Sequence, residues 1–322
     1  MRLFINGFGR IGRTMLRAWA LGSWPDIEIV GINDIAEPDL CAHLFAYDSV
    51  FGPFPHEVTC KGARIGFNGL SVPISRQADL SACDLRGVDV VLECTGKADD
   101  RDFAERGLRA GAARVLISGP SEAADQTIVL GANDHLLGDQ TIISNASCTT
   151  NALAPLVRLL DDEFGLRTGW MTTIHCYTGS QPTIDAPRGD MLRSRAAALS
   201  MVPTTTSAQR LLDLVLPDLA GRVEAAAVRV PVASVSAVDL TVLLQTSPTV
   251  EQINAVFRRQ TGIIGSTDKP LVSSDLRARS ESVVMALPET RVTAGGMVRL
   301  FGWYDNEWGF SNRMLELARR MG

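Results

Sequence analysis

The chain has 322 residues, 46% of them hydrophobic and 21% charged, with a net charge of −5. That length suggests two domains at about 150 residues each, and the acidic balance argues against the basic face that general nucleic-acid binding requires. No apolar run approaches the roughly 20 residues of a transmembrane helix, so no membrane partner is expected. Met1 and Arg2 lead straight into an apolar segment with no cleavable signal pattern, so a cytoplasmic location is expected. The six cysteines (Cys41, Cys60, Cys83, Cys94, Cys148 and Cys176) are scattered without a CxxC pair, which reads as free thiols rather than a disulfide framework. With four histidines and no His/Cys cluster at zinc-ligand spacing, no metal site is expected.

The first element is a buried strand at Leu3-Phe4-Ile5, running into Asn6-Gly7-Phe8-Gly9-Arg10-Ile11-Gly12-Arg13. A helix follows, with Ile11, Met15, Leu16 and Trp19 on one face, then a strand at Ile27–Ile32 that ends at Asn33-Asp34. Glycines in a G-x-G-x-x-G pattern between a strand and a helix, with an acid 22 residues after the last of them, are the context a dinucleotide fingerprint needs. Gly7 makes the tight turn, Gly9 lets the backbone approach a pyrophosphate, and Gly12 lets helix and strand pack closely. The stretch that carries Arg10 and Ile11 opens the helix whose N-terminus would hold the phosphates. Asp34 would accept from the adenosine ribose hydroxyls and repel a 2′-phosphate, favouring NAD over NADP. A glycine-rich turn of an unrelated α/β protein is the structural alternative.

Further strands at Val88–Glu93 and Arg114–Ile117 flank a short helix near Phe103–Ala110. Ligands of doubly wound sheets lie at the carboxyl ends of strands, so Thr95, Gly96 and Ser118 are candidates to line the cofactor crevice, although each also suits an ordinary turn. Thr127–Leu130 and Thr141–Ile143 read as the last strands of this half.

Ser144-Asn145-Ala146-Ser147-Cys148-Thr149-Thr150-Asn151 then places one cysteine among small polar residues. Leu153, Leu156, Val157 and Leu160 follow as a helical stripe, and Pro155, tolerated near a helix start, sets that start close to Cys148. Ser147 is a plausible N-cap. A thiol in the first turn meets the positive end of the helix, which is expected to lower its pKa. The alternative is an inert buried cysteine.

A strand at Gly169–Ile174 ends in His175, 27 residues after Cys148, making a possible Cys/His pair unless that histidine is structural. Residues 176 to 201 form a long irregular stretch bearing Arg188, Arg193 and Arg195, of the kind that builds sites or interfaces. Thr204-Thr205-Thr206-Ser207 precedes a helix at Ala208–Val215 and suits either anion binding or N-capping. Arg229 lies inside an apolar strand, Ala225–Val230, and needs an anionic partner, a carboxylate or a ligand phosphate. Strands at Ser236–Leu244 and Met297–Trp303 and helices at 250–259 and 312–320 complete the second half. The fold class is therefore α/β: an N-terminal doubly wound Rossmann domain plus an α+β catalytic domain with a largely antiparallel sheet.

The glycine octet, the octet around Cys148 and Trp303-Tyr304-Asp305-Asn306-Glu307-Trp308-Gly309 together resemble the glyceraldehyde-3-phosphate dehydrogenase family, in the same order and through nearly the whole chain. The resemblance implies a nucleophile at Cys148 and its partner at His175. It implies a substrate-phosphate site at Thr178, Ser180 and Arg229, and an inorganic-phosphate site at Ser147, Thr149, Thr206 and Arg195. Asn306 would orient the nicotinamide carboxamide, and Pro187 would lie near the adenosine ribose of a neighbouring subunit. It further implies NAD as cofactor, a phosphorylated aldose and phosphate as partners, and a homotetramer whose interface includes residues 176 to 201. Residues 1–147 would form the NAD domain, with helix 308–322 packing back on it, and 148–307 the catalytic domain.

Three positions depart from the family pattern. Ala152 stands where a cysteine usually repeats, Ser207 where the glycolytic pattern usually has Gly beside the phosphate threonine, and Phe310 where many glycolytic members have Tyr. Phe310 is reminiscent of the erythrose-4-phosphate dehydrogenases, whereas the run Thr204-Thr205-Thr206 resembles the glycolytic branch. The expected activity is phosphorylating oxidation of glyceraldehyde 3-phosphate. Erythrose 4-phosphate oxidation is the alternative, and a catalytically silent NAD-binding regulator is a third.

Overall fold

The computed structural model describes residues 1–322 and divides them into two compact units. One comprises Met1–Ile128, His135–Ala146 and Ser311–Gly322; the other comprises Val129–Asp134 and Ser147–Phe310.

The first unit is built on a nine-stranded sheet. From one edge its strands run Gln126–Thr127, Ile142–Ser144, Arg114–Ile117, Val90–Glu93, Arg2–Asn6, Glu28–Asn33, Leu70–Ser75, Arg64–Phe67 and Val58–Cys60. The first seven pair in parallel, and the last two add on as an antiparallel extension. Central parallel strands are covered on both faces, so they read as unbroken apolar runs; Leu3, Ile5, Val90, Val91 and Leu92 are fully buried. The strand order reverses beside Arg2–Asn6, and at such a switch point the flanking loops part to leave a crevice. The last part of the Trp308–Met321 helix belongs to this unit, with Met314, Leu315, Leu317 and Ala318 fully buried and Arg319 stacked over Trp24.

The second unit carries an eight-stranded sheet. Val223–Val230 pairs in parallel with Leu166–Cys176, which pairs antiparallel with Ser236–Leu244, itself antiparallel to Met297–Tyr304. Buried residues alternate along the last two strands: Val238, Leu240 and Val242 face inward, as do Val298, Leu300 and Tyr304. The Cys148–Phe164 helix covers this face with Leu153, Leu156, Val157 and Leu160, all fully buried.

Some local expectations need correction. Of Thr127–Leu130, only Thr127 lies in a strand. The apolar run continues because Ile128, Val129 and Leu130 are buried outside the ladder, which an apolar pattern cannot reveal. Pro155 sits eight residues into its helix, past the first turn where proline is free of cost, although the helix does begin at Cys148.

Candidate active site

In the first unit the Arg2–Asn6 strand delivers Gly7 into a left-handed turn at φ +91, where a Cβ would lie 2.7 Å from the Thr95 amide nitrogen. A Cβ on Gly12 would lie 2.1 Å from the Gly7 carbonyl, so helix and turn touch backbone to backbone. Gly9, by contrast, has open space where its Cβ would be, and it precedes the Arg10–Leu21 helix as its N-cap. Two closed glycines and one open one make a cradle for a diphosphate at a helix N-terminus, where the first-turn amides lack intrahelical acceptors. Asp34 accepts from the Phe8 amide at 2.7 Å and the Ala36 amide at 2.9 Å, which orients its carboxylate and leaves a lone pair on each oxygen for hydroxyl donors. Asn6, Gly7, Gly9, Asp34, Thr95 and Lys97 are among the residues lining a cleft of about 270 Å³ here. Gly96 stands in the same turn at φ +69, and the Ser118 amide bonds the Glu93 carbonyl, which puts both at strand ends as the topology requires. The Arg10 guanidinium is held by Asp48. The residues present fit a dinucleotide.

In the second unit Ser147 caps the cysteine helix, its Oγ accepting from the Thr150 amide at 3.1 Å. The preceding residue, Ala146, is buried at φ +54, a left-handed conformation rare for a residue with a Cβ, and it turns the chain sharply into the helix. Cys148 Sγ lies 3.7 Å from His175 Nε2. On the far side of the ring, His175 Nδ1 is 2.7 Å from the Cys176 carbonyl and 2.7 Å from Arg229 Nη1. Parallel pairing sets His175 directly beside Arg229, so the ladder itself fixes that contact.

Electrostatics in this cluster run against the expected activation. Burial pushes the Cys148 thiol up, outweighing the Arg229 charge and the helix-start donors that pull it down. Burial, assisted by the Arg229 charge, pushes His175 down to about 4. Both shifts favour the uncharged forms of the pair, because desolvation of a charge exceeds what a helix terminus returns.

Around it lie the candidate anion groups. Thr178 and Ser180 hydroxyls are 3.0 Å apart, just beyond the histidine strand. Thr149 Oγ1 is bonded to the Tyr304 hydroxyl. Thr206 Oγ1 accepts from the Ala208 amide at 3.1 Å, a bond across the turn, while Ser207, the N-cap residue of the Ala208–Val215 helix, is exposed and makes no side-chain capping bond. Arg195 pairs with Asp185 at 2.8 Å in its own loop. Arg193 instead donates to Thr204 Oγ1 at 2.7 Å and Thr205 Oγ1 at 2.9 Å. The arginine brought to the threonine run is thus Arg193, two residues from the expected one, because Asp185 captures Arg195. Pro187 lies in the same loop, exposed.

Comparison with known proteins accords with both halves. Residues 1–101 match the glyceraldehyde 3-phosphate dehydrogenase NAD binding domain, and residues 147–306 match the C-terminal domain of the same family. The glyceraldehyde-3-phosphate dehydrogenase of Xanthobacter flavus is 46% identical, covering 100% of this chain and 98% of that one. Those of Cereibacter sphaeroides and Pseudomonas aeruginosa are each 45% identical, covering 100% and 99% of this chain and 98% and 97% of their own. The chain belongs to the glyceraldehyde-3-phosphate dehydrogenase family.

Within this family member, three residues without an assigned role organise the candidate sites. Tyr304 bridges Thr149 Oγ1 at 2.9 Å and Thr173 Oγ1 at 2.8 Å, tying the first turn of the cysteine helix to the histidine strand. Cys176 donates its thiol to Asn306 Oδ1 at 3.1 Å, which fixes the amide oxygen of Asn306 as the acceptor of that bond. Glu93, buried at the end of its strand, accepts from the Thr95 amide at 2.8 Å, from the Thr95 hydroxyl and from Asn6. Glu93 had a visible signal, an acid closing an apolar run. Tyr304 and Cys176 had none, since their partners lie 131 and 130 residues away.

Proposed function

We propose that this protein oxidises glyceraldehyde 3-phosphate to 1,3-bisphosphoglycerate, with NAD as hydride acceptor and inorganic phosphate as second substrate. The single observation that carries this reading is the Cys148–His175 contact of 3.7 Å with Arg229 against the ring's far nitrogen, in a chain of this family. His175 takes the Cys148 thiol proton, the thiolate attacks the aldehyde carbon, and the imidazolium returns that proton to the carbonyl oxygen, giving a hemithioacetal. His175 takes the hydroxyl proton as the C–H hydride leaves, giving a thioester on Cys148. Bound NAD supplies the hydride acceptor. Phosphate oxygen attacks the thioester carbon, the C–S bond breaks, and Cys148 is released as thiolate. Thr178, Ser180 and Arg229 hold the aldehyde's phosphate; Ser147, Thr149 and Thr206, with Arg193 in support, hold the inorganic one.

Residues 1–147 with helix 308–322 would bind NAD through Gly7, Gly9, Arg10, Ile11, Gly12, Asp34, Thr95, Gly96 and Ser118, while 148–307 carry the chemistry and Asn306 orients the carboxamide. The glyceraldehyde name borne by the three relatives favours the three-carbon substrate over erythrose 4-phosphate. A homotetramer is supported by Ile184, Met191, Leu192, Leu199 and Met201, apolar side chains exposed along one loop of the single chain; light scattering tests it. No helix is long and apolar enough to cross a membrane, and six unpaired cysteines support a reducing, cytoplasmic setting. The deciding experiment measures NADH formation from both aldehydes, with and without phosphate, for the native protein and Cys148→Ser. Substantial activity of the serine variant, or a phosphate-independent preference for the four-carbon sugar, would overturn this reading.

A further inference from the structure

The Leu166–Cys176 strand, which carries His175, lies in its sheet between the Val223–Val230 and Ser236–Leu244 strands. Residues 231 to 235 join those two neighbours, so this short connection must cross the end of the histidine strand. It grips what it crosses. The Val232 carbonyl accepts from the Tyr177 amide at 3.1 Å, and Ser236 Oγ accepts from the Cys176 amide at 3.1 Å. The two amides that follow His175 are thus both held by the crossing chain. The Cys176 carbonyl is 2.7 Å from His175 Nδ1 and accepts from Arg229 Nη1 at 2.9 Å. Any movement of Cys176 is therefore passed to both of those side chains.

The crossing chain is held in a conformation it would not adopt by itself. Val235 stands at φ +65, in the left-handed region where a β-branched residue is an outlier. The Ser234 hydroxyl beside it is buried, at 5% exposure, and makes no hydrogen bond within the chain, a defect that marks strain or function in a native fold. What holds the turn is the Val235 side chain, buried in a cluster with Leu276 and Val284 against which Leu271 and Trp303 pack. The sheet ladder does not do this work, since antiparallel pairing of the two strands stops at Ile174 and Ala237.

We infer that Val235 and Ser236 are positioning residues for His175: the strained turn at Val235 aims the Ser236 hydroxyl at the Cys176 amide and, through Cys176, fixes the imidazole. This rests on the proposed role of His175 in oxidising the aldehyde. Both residues act through the backbone of Cys176 rather than on the substrate. A strand end that has lost its ladder on one side is free to drift. The clasp removes that freedom at the residue pair where a displacement of about 1 Å is costly to rate. The strain is thus stored next to the chemistry and offset by apolar burial on the other side of the turn.

The test compares the native enzyme with two variants. Ser236→Ala removes the acceptor, and Val235→Gly keeps the hydroxyl but gives up the buried anchor, since glycine adopts the turn without holding it. Urea unfolding gives the folded fraction of each, and rates are taken per folded protein. Steady-state NADH formation from glyceraldehyde 3-phosphate should show kcat down roughly tenfold in both variants, with the KM for NAD unchanged, a split that a purely structural role does not produce. Alkylation of Cys148 by iodoacetamide, followed by peptide mass without aldehyde or NAD, should slow several-fold in both, because the imidazole no longer keeps its place 3.7 Å from the sulfur. A kcat per folded protein within about twofold of native in either variant overturns the inference, and so does an unaltered alkylation rate. If the native enzyme itself forms no NADH from the aldehyde, the functional reading fails, while slowed alkylation in the variants still upholds the placement of His175 by this turn.

Discussion

Replacing Tyr304 by Phe removes one oxygen from a buried chain of three hydroxyls and changes little else in shape. That oxygen is 2.9 Å from Thr149 Oγ1 and 2.8 Å from Thr173 Oγ1, and both threonines are buried, at 4% and 1% exposure. Burial pushes the phenol up, so it acts here as a neutral hydroxyl. Two threonine hydroxyls lose their partner with little access to water. At about 1–1.5 kcal/mol each, the expected loss is about 2–3 kcal/mol of stability. The same bonds hold the first turn of the cysteine helix against the histidine strand, so the thiol and imidazole should drift and kcat fall roughly tenfold. Urea unfolding at fixed protein concentration and steady-state NADH formation read the two effects. A double-mutant cycle with Thr173→Val should show a coupling of about 1 kcal/mol between the two positions. Additivity in that cycle, together with an unaltered kcat for Tyr304→Phe, would refute the account of Tyr304 as the tie between the two elements.

Other outcomes follow from the same geometry. His175 is held at about 4 against its ordinary 6.5, so between those values the unfolded chain binds the extra proton and stability falls with falling pH. The loss across that window is about 3 kcal/mol, and His175→Asn should flatten the stability–pH curve there. Gly12→Ala places a Cβ 2.1 Å from the Gly7 carbonyl, which should cost on the order of 3 kcal/mol and abolish NAD binding in a calorimetric titration. Glu93→Gln turns an acceptor into a donor opposite Asn6 or Thr95, and the NAD Kd should rise roughly tenfold. Arg193→Ala should raise the KM for inorganic phosphate several-fold and Arg195→Ala much less; the reverse order would restore Arg195 to that site.

Much of the fold was legible because its signals are local. The glycine octet sits between a strand and a helix and names its own geometry, and the second unit's strands alternate or run apolar with the period a sheet demands. Residues 35 to 87 were not legible. The Pro38–Ala46 helix and the Val58–Cys60 and Arg64–Phe67 strands are short and half exposed, so their burial pattern carries little periodicity. The two strands Ile264–Thr267 and Val283–Ala286 pair in parallel across intervening chain and likewise leave no adjacent mark.

The candidate site divides in the same way. Cys148 at a helix start, His175 at a strand end, Arg229 in an apolar strand and Asp34 after the glycines are all visible in the chain, because each chemistry leaves a residue that is out of place in its surroundings. Which arginine reaches the threonines, that Tyr304 ties Thr149 to Thr173, and that Arg229 rather than a carboxylate stands behind His175 were decided only by tertiary structure. So was the direction of the thiol's shift: a helix terminus can be read from sequence, but the depth of burial that outweighs it is a property of everything packed around Cys148.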